Sequence, residues 1–155
     1  MKTLIIYTSV HHKNTEKVAR AMAQELKADL IPTADAHPDS LAPYDLIGLG
    51  SGIFYGEMHQ TLVDFVKSLP AVTRKCAFVF STCGIMWGLG GPKKHAPIKQ
   101  LLEDRGFSLV GDFACLGWDT VGALRYFGGV NRGRPSARDL ENARAFAQKL
   151  KEKCA

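Results

Sequence analysis

The sequence predicts an α/β fold, a three-layer arrangement in which a five-stranded parallel sheet carries helices on both faces. Three observations predict it. Short apolar runs recur along the chain without polar alternation, as in strands buried on both sides. Segments with helical periodicity separate them. The loops that follow the runs are rich in Gly, Ser, Thr and aromatic residues.

The first run, residues 2–7 (KTLIIY), ends at Thr8 and reads as a buried strand. Residues 15–27 place Val18, Ala19, Met22, Ala23 and Leu26 at helical spacing, with Asn14 or Thr15 as the cap and Glu16 in the first turn. Residues 28–31 form a short second strand, and a proline-rich turn segment follows. Residues 45–51 (DLIGLGS) make a third strand with a glycine-rich end, and residues 58–68 a helix closed by Pro70. Residues 75–81 (KCAFVFS) make a fourth strand. The next helix runs from about Pro97 to Arg105 and stops at Gly106. Residues 107–118 make a fifth strand, long or broken at Gly111 and Gly117. The last helix spans 136–153, capped by Ser136, with Leu140, Ala143, Phe146, Ala147 and Leu150 facing inward.

A chain of 155 residues suits a single domain, 1–155. No run of about 18 apolar residues exists, so no membrane span is expected. The first apolar run is too short for a signal-peptide core, and a cytoplasmic location is expected. There, Cys76, Cys83, Cys115 and Cys154 would all be free thiols. None forms a C-x-x-C pair, which argues against structural zinc and thioredoxin-type chemistry. His11, His12 and His59 lack a third ligand at fixed spacing, so no metal site is expected. The formal charge of +5 favours acidic partners, but no basic stripe with interleaved aromatics suggests nucleic acid.

In sheets of this kind ligands bind beyond the carboxyl ends of the strands. The first such loop is Thr8-Ser9-Val10-His11-His12-Lys13-Asn14-Thr15. Its hydroxyls, the Asn14 amide and backbone N–H groups can donate to one anion at a helix N-terminus, with Lys13 adding charge. It is neither a Walker A motif nor a G-x-G-x-x-G fingerprint, so a terminal monophosphate fits better than a triphosphate or dinucleotide. Alone, the loop is equally compatible with an ordinary capped helix.

The strand–loop–helix LIIYTSVHHKNTEKVA resembles the FMN phosphate loop of the flavodoxins, and strand order, loop positions and length match a short-chain flavodoxin along essentially the whole chain. The chain departs from the family at Lys13, where glycine is usual. The resemblance implies a flavodoxin-like sandwich with strand order 2-1-3-4-5, and FMN as cofactor. It implies a second flavin-contacting segment, Ser51-Gly52-Ile53-Phe54-Tyr55-Gly56-Glu57, in which the peptide at Gly56 would flip with redox state and Glu57 would meet the ring's polar edge. It implies a third, Ser81-Thr82-Cys83-Gly84-Ile85-Met86-Trp87-Gly88, whose amides would face the pyrimidine edge while Trp87 stacks on the ring. Residues 82–91 carry no carboxylate and Lys93 and Lys94 follow, so an anionic reduced flavin would be less strained electrostatically than in acidic relatives. The loop 117–122 and residues 127–135 are positioned as a lid or a partner surface.

Three functions follow. The first is a one-electron carrier between redox proteins that present an acidic docking face, acting as a monomer with no catalytic side chain. The second is an FMN-dependent oxidoreductase acting on a quinone, porphyrinogen or nicotinamide. The third is a flavin-free domain binding a phosphorylated ligand or a protein.

Overall fold

A computed structural model of the chain describes residues 1–84 and 91–154. Strands β1 (Thr3–Thr8), β2 (Asp29–Pro32), β3 (Leu46–Phe54), β5 (Lys75–Cys83) and β6 (Phe107–Leu116) form a parallel sheet in the order β2-β1-β3-β5-β6. The two-residue β4 (Glu57–Met58) folds back antiparallel on the end of β3. Helices α1 (Asn14–Leu26), α2 (Gln60–Ser68), α3 (Ala96–Glu103) and α4 (Ala137–Lys153) connect or follow the strands. The fold class and strand order are those expected, with β4 as an addition.

Successive side chains of a strand point to opposite faces, which creates two cores. Leu4, Ile6, Ile47, Leu49 and Val79 meet Leu62 and Val66 of α2 and Ile98 and Leu102 of α3. On the other face Ile5, Phe78 and Phe80 meet Val18 and Met22 of α1 and Ala143, Ala147 and Leu150 of α4. The glycines of β3 have a packing reason. Gly48 pairs with Phe78 and Gly50 with Phe80, and a Cβ at either glycine would enter the facing ring. The missing side chains make room for two stacked phenylalanines, with centroids 6.1 Å apart.

Several boundaries differ from expectation. The β3 and β5 strands run two to three residues beyond the expected ends, because Ser51 pairs with Ser81 and Gly52 with Thr82 in a continuing ladder. Residues expected in loops are therefore strand ends. Met58 belongs to β4, and α2 starts at Gln60 behind His59, whose ring accepts from the Thr61 N–H. The β6 strand is continuous, but its register shifts opposite Ala77 and Phe78, leaving Val110 outside the pairing. Ser136 caps α4 through a reciprocal box with Asp139.

The capping of α1 is a clear correction. Neither Asn14 nor Thr15 is the cap; both lie inside the helix, and the N-cap is Lys13. The thiol expectation is also corrected: Cys76 at the start of β5 is bonded to Cys154 at the end of α4, 78 residues away. Their order in sequence says nothing of this, because the packing of α4 across the sheet brings them together.

Candidate functional site

The strand order reverses between β1 and β3, and a cleft opens there at the carboxyl edge of the sheet. Four segments line it. The β1–α1 loop contributes Val10, His11, Asn14 and Thr15, and the β3–β4 hairpin contributes residues 52–56. The end of β5 contributes Thr82, Cys83 and Gly84, and the segment after β6 contributes Trp118, Asp119, Val121 and Leu124.

The β1–α1 loop holds an unusual backbone. His12 (φ 51°) and Lys13 (φ 54°) are consecutive left-handed residues, and neither is glycine. Lys13 thus takes the conformation for which glycine is suited, with its side chain exposed. Three contacts from neighbouring residues hold this shape. The His12 ring lies on the Trp118 indole, centroids 3.8 Å apart, and its Nε2 is 2.7 Å from Thr120 Oγ1. Asn14 Nδ2 donates to the Trp118 carbonyl at 2.8 Å. The Asn14 side chain fits because residue 117 is glycine; a Cβ there would collide with the amide.

The predicted anion ligands do not all converge. Thr8 Oγ1 donates to Thr33 Oγ1 at 2.8 Å and lies 3.0 Å from Thr61 Oγ1. Ser9 Oγ accepts the Glu16 N–H. Both residues face a separate depression bordered by Thr33, His59 and Thr61. Thr15 Oγ1 pairs with Thr82 Oγ1 at 2.9 Å, a buried bond between α1 and β5. The Asn14 side-chain oxygen Oδ1, by contrast, is buried and has no hydrogen-bond partner, while its residue lines the cleft. A buried acceptor left unpaired costs about 1–3 kcal/mol, so it is a ready place for a ligand N–H or O–H.

Tyr55 (φ 51°) and Gly56 (φ 83°) are the two central residues of a tight hairpin between Phe54 and Glu57. This turn places Phe54 between His11 and His59 and leaves Tyr55 93% exposed. Glu57 is exposed and borders a shallow groove with His11 and His59 outside the main cleft. Ser51 is fully buried, and its hydroxyl is occupied by the His59 N–H and the Gly52 carbonyl. Ser81 is likewise buried, and its hydroxyl meets His95. Trp87 and Gly88 lie outside the described residues.

The sequence points to none of Trp118, Asp119, Val121 and Leu124 as ligand-binding; the first three fall in the loop 117–122 expected as a lid or partner surface, and Leu124 lies outside it. Their signal was position alone, beyond the carboxyl end of the last strand. Asp119 matters for charge. Residues 82–91 carry no carboxylate, yet Asp119 comes so close to Gly84 that a Cβ there would strike it. The cleft therefore has a carboxylate that its own loop lacks. Asn131 Nδ2 also donates to the Gly84 carbonyl, tying the segment after β6 to the end of β5.

His95 was also missed. It is fully buried, with Nε2 2.7 Å from Ser81 Oγ and Nδ1 3.2 Å from Asp112 Oδ2. Burial pushes its imidazole below the ordinary value, against the pull of Asp112. With Nδ1–H donated to the carboxylate, Nε2 accepts the Ser81 hydroxyl. His95 thus pins the start of α3 to β5 just before Thr82 and Cys83. Burial likewise pushes the Cys83 thiol up, with Asp119 adding to the effect, so Cys83 is not an activated nucleophile. Burial and the nearby Asp139 push Cys115 up to about 12.

Fold and cleft together define a doubly wound α/β protein with an open cleft at its topological switch point. The flavodoxin-domain family model matches residues 4–127, and the chain belongs to that family. An uncharacterized protein of Methanocaldococcus jannaschii is 40% identical over 150 residues, covering 97% of this chain and 98% of its own. Among solved structures, oxidised flavodoxin 2 from Bacillus cereus superposes with a TM-score of 0.77 at 23% identity, covering 99% of each chain. Oxidised flavodoxin 1 from the same organism gives 0.74 at 21%, covering 98% of each chain. No helix among the described residues is long and apolar enough to cross a membrane.

Proposed function

We propose that the chain binds FMN in the cleft and works as a one-electron carrier between redox proteins. The observation that carries this reading is the buried, unpartnered Asn14 Oδ1 at the switch-point cleft between β1 and β3, where doubly wound proteins, flavodoxins among them, bind their ligands. The residues present fit the group. Lys13 supplies no capping side chain to α1 and Ser9 Oγ takes only the Glu16 N–H, so the helix dipole at this terminus would favour a phosphate. Asn14 Oδ1 would accept a hydroxyl or N–H of the ligand. Phe54, Trp118 and Leu124 offer apolar surface to a planar ring.

Bound FMN would supply reversible one-electron chemistry. The chain's own residues would bind and orient it: Val10 to Thr15 at the phosphate, Gly52 to Gly56 and Thr82 to Gly84 at the ring. Thr15 and Thr82, whose hydroxyls pair with each other, would contribute backbone groups, and Thr8, Ser9, Ser51 and Ser81 would act behind this layer, since their hydroxyls are engaged within the fold.

The test is titration of the purified chain with FMN, followed by stepwise reduction under a visible spectrum. Binding with quenched flavin fluorescence, weakened roughly tenfold in Asn14→Leu, together with a blue neutral intermediate on partial reduction, supports the carrier. Absence of FMN binding overturns the reading. Direct oxidation of NAD(P)H by the loaded protein, without a separate reductase, replaces the carrier with an enzyme.

A further inference from the structure

Among the described residues the exposed large hydrophobic side chains are Met1, which precedes β1, and Val10, Tyr55, Tyr126 and Phe127, which lie on segments bordering the cleft. Val10 and Tyr55 line the cleft. Tyr126 and Phe127, 73% and 85% exposed, lie in the helical turn Gly122–Phe127, whose Leu124 also lines the cleft. Apolar surface is thus gathered at one mouth. Exposed aromatic groupings of this kind mark binding surfaces, because they cost free energy in water unless something covers them.

The stretch that carries Tyr126 and Phe127 is one-sided in charge, although Asp119 precedes it at the cleft. Residues 120–138 contain Arg125, Arg132, Arg134 and Arg138 and no Asp or Glu. The Arg125 guanidinium lies 4.8 Å from the centre of the Tyr126 ring, and Arg132 lies 5.6 Å from that of Trp118. Arg134 is neutralised by Asp139, but Arg125 and Arg132 are exposed. Tyr, Phe and Arg together are the residue types that dominate protein interfaces.

We infer that the segment Gly122–Arg132, with Tyr126 and Phe127 at its centre and Arg125 and Arg132 beside them, is the docking surface for a partner protein that presents carboxylates around an apolar patch. This deepens the carrier reading and rests on it, since a redox partner must approach the mouth of the cleft. A second copy of the chain is a poor occupant, because a two-fold contact would set arginines against arginines. The docking segment shares Leu124 with the cleft, but Arg125, Tyr126, Phe127 and Arg132 do not line it, so substitutions at these four separate partner binding from flavin binding.

The experiment needs no flavin. Binding of an acidic b-type cytochrome to the chain is measured by titration calorimetry, with and without added FMN, with a basic c-type cytochrome as the charge control. The wild type should bind the acidic cytochrome, and affinity should fall at least roughly tenfold between about 20 and about 200 mM salt. Arg125→Glu and the pair Tyr126→Ser with Phe127→Ser should each weaken binding by roughly tenfold or more. Their circular dichroism and FMN affinity should stay unchanged. Equal affinity of wild type and all variants for the acidic cytochrome overturns the proposal, as does preference for the basic cytochrome. Binding to vesicles of anionic phosphatidylglycerol that these substitutions abolish, without cytochrome binding, makes the surface a membrane contact and also overturns it. If the chain binds no FMN, the carrier reading falls while the cytochrome arm still reports on the surface.

Discussion

His12 lies flat on Trp118, ring centroids 3.8 Å apart and planes within 20°, and this contact ties the β1–α1 loop to the segment after β6. Two parts of the chain more than 100 residues apart thereby form one wall of the cleft. His12 takes a left-handed backbone that it would not hold unaided. The stack, the Thr120 contact and the Asn14 bond to Trp118 hold it there. His12→Ala removes the first two. It should lower FMN affinity roughly tenfold, with a small loss of stability, because an aromatic pair contributes only about 0.5–1.5 kcal/mol. Trp118 fluorescence should also shift to longer wavelength as the indole loses its cover. An unchanged flavin titration would count against a binding role for this stack.

Lys13 separates strain from charge. A left-handed non-glycine residue costs about 1–2 kcal/mol, and glycine offsets part of that gain by its greater unfolded-state freedom. Lys13→Gly should therefore leave stability within about 1 kcal/mol of wild type in a denaturant titration. FMN affinity should fall several-fold at low salt and recover toward wild type at high salt, because the loss is one exposed charge near a phosphate. A rise in affinity at all salt concentrations would show that the lysine opposes binding.

His95 gives the fold a pH dependence with a fixed sign. Its imidazole titrates below the ordinary value of about 6.5 in the folded chain. The folded state therefore favours the neutral form. The stabilisation is fully present above about pH 6.5 and is lost as pH falls from there through the folded-state value. Thermal melts between pH 7.5 and pH 5 should show the midpoint falling with pH. In His95→Gln that component of the slope should disappear, with a lower midpoint at pH 7.5. A parallel slope in the variant would assign the effect elsewhere.

The disulfide joins Cys76 to Cys154 across 78 residues and lies at the amino end of β5, opposite the cleft. Closing a loop of that length restricts the unfolded chain, and removing the bridge typically costs about 2–5 kcal/mol. Cys154→Ser should lower the denaturation midpoint accordingly and leave FMN affinity unchanged. A large loss of flavin binding at temperatures where the variant stays folded would contradict this separation of the two ends of the sheet.

The sequence by itself determined the architecture. Unbroken apolar runs such as LIIY and AFVF require strands buried on both faces, and amphipathic segments between them require covering helices. The strand order then sets the place of the site, because loops at the carboxyl edge must converge where the order reverses. The tertiary structure alone decided which side chains face that place. Thr8, Ser51 and Ser81 look like ligands in sequence, but the fold gives their hydroxyls to Thr33, His59 and His95. Trp118 and Asp119 look like loop residues, and the fold brings them to the cleft. Periodicity reports which face of an element is buried, since that depends on neighbours in sequence. Hydrogen-bond partners, the Cys76–Cys154 bridge and the Asp119 carboxylate depend on approach between distant segments, which no local pattern encodes.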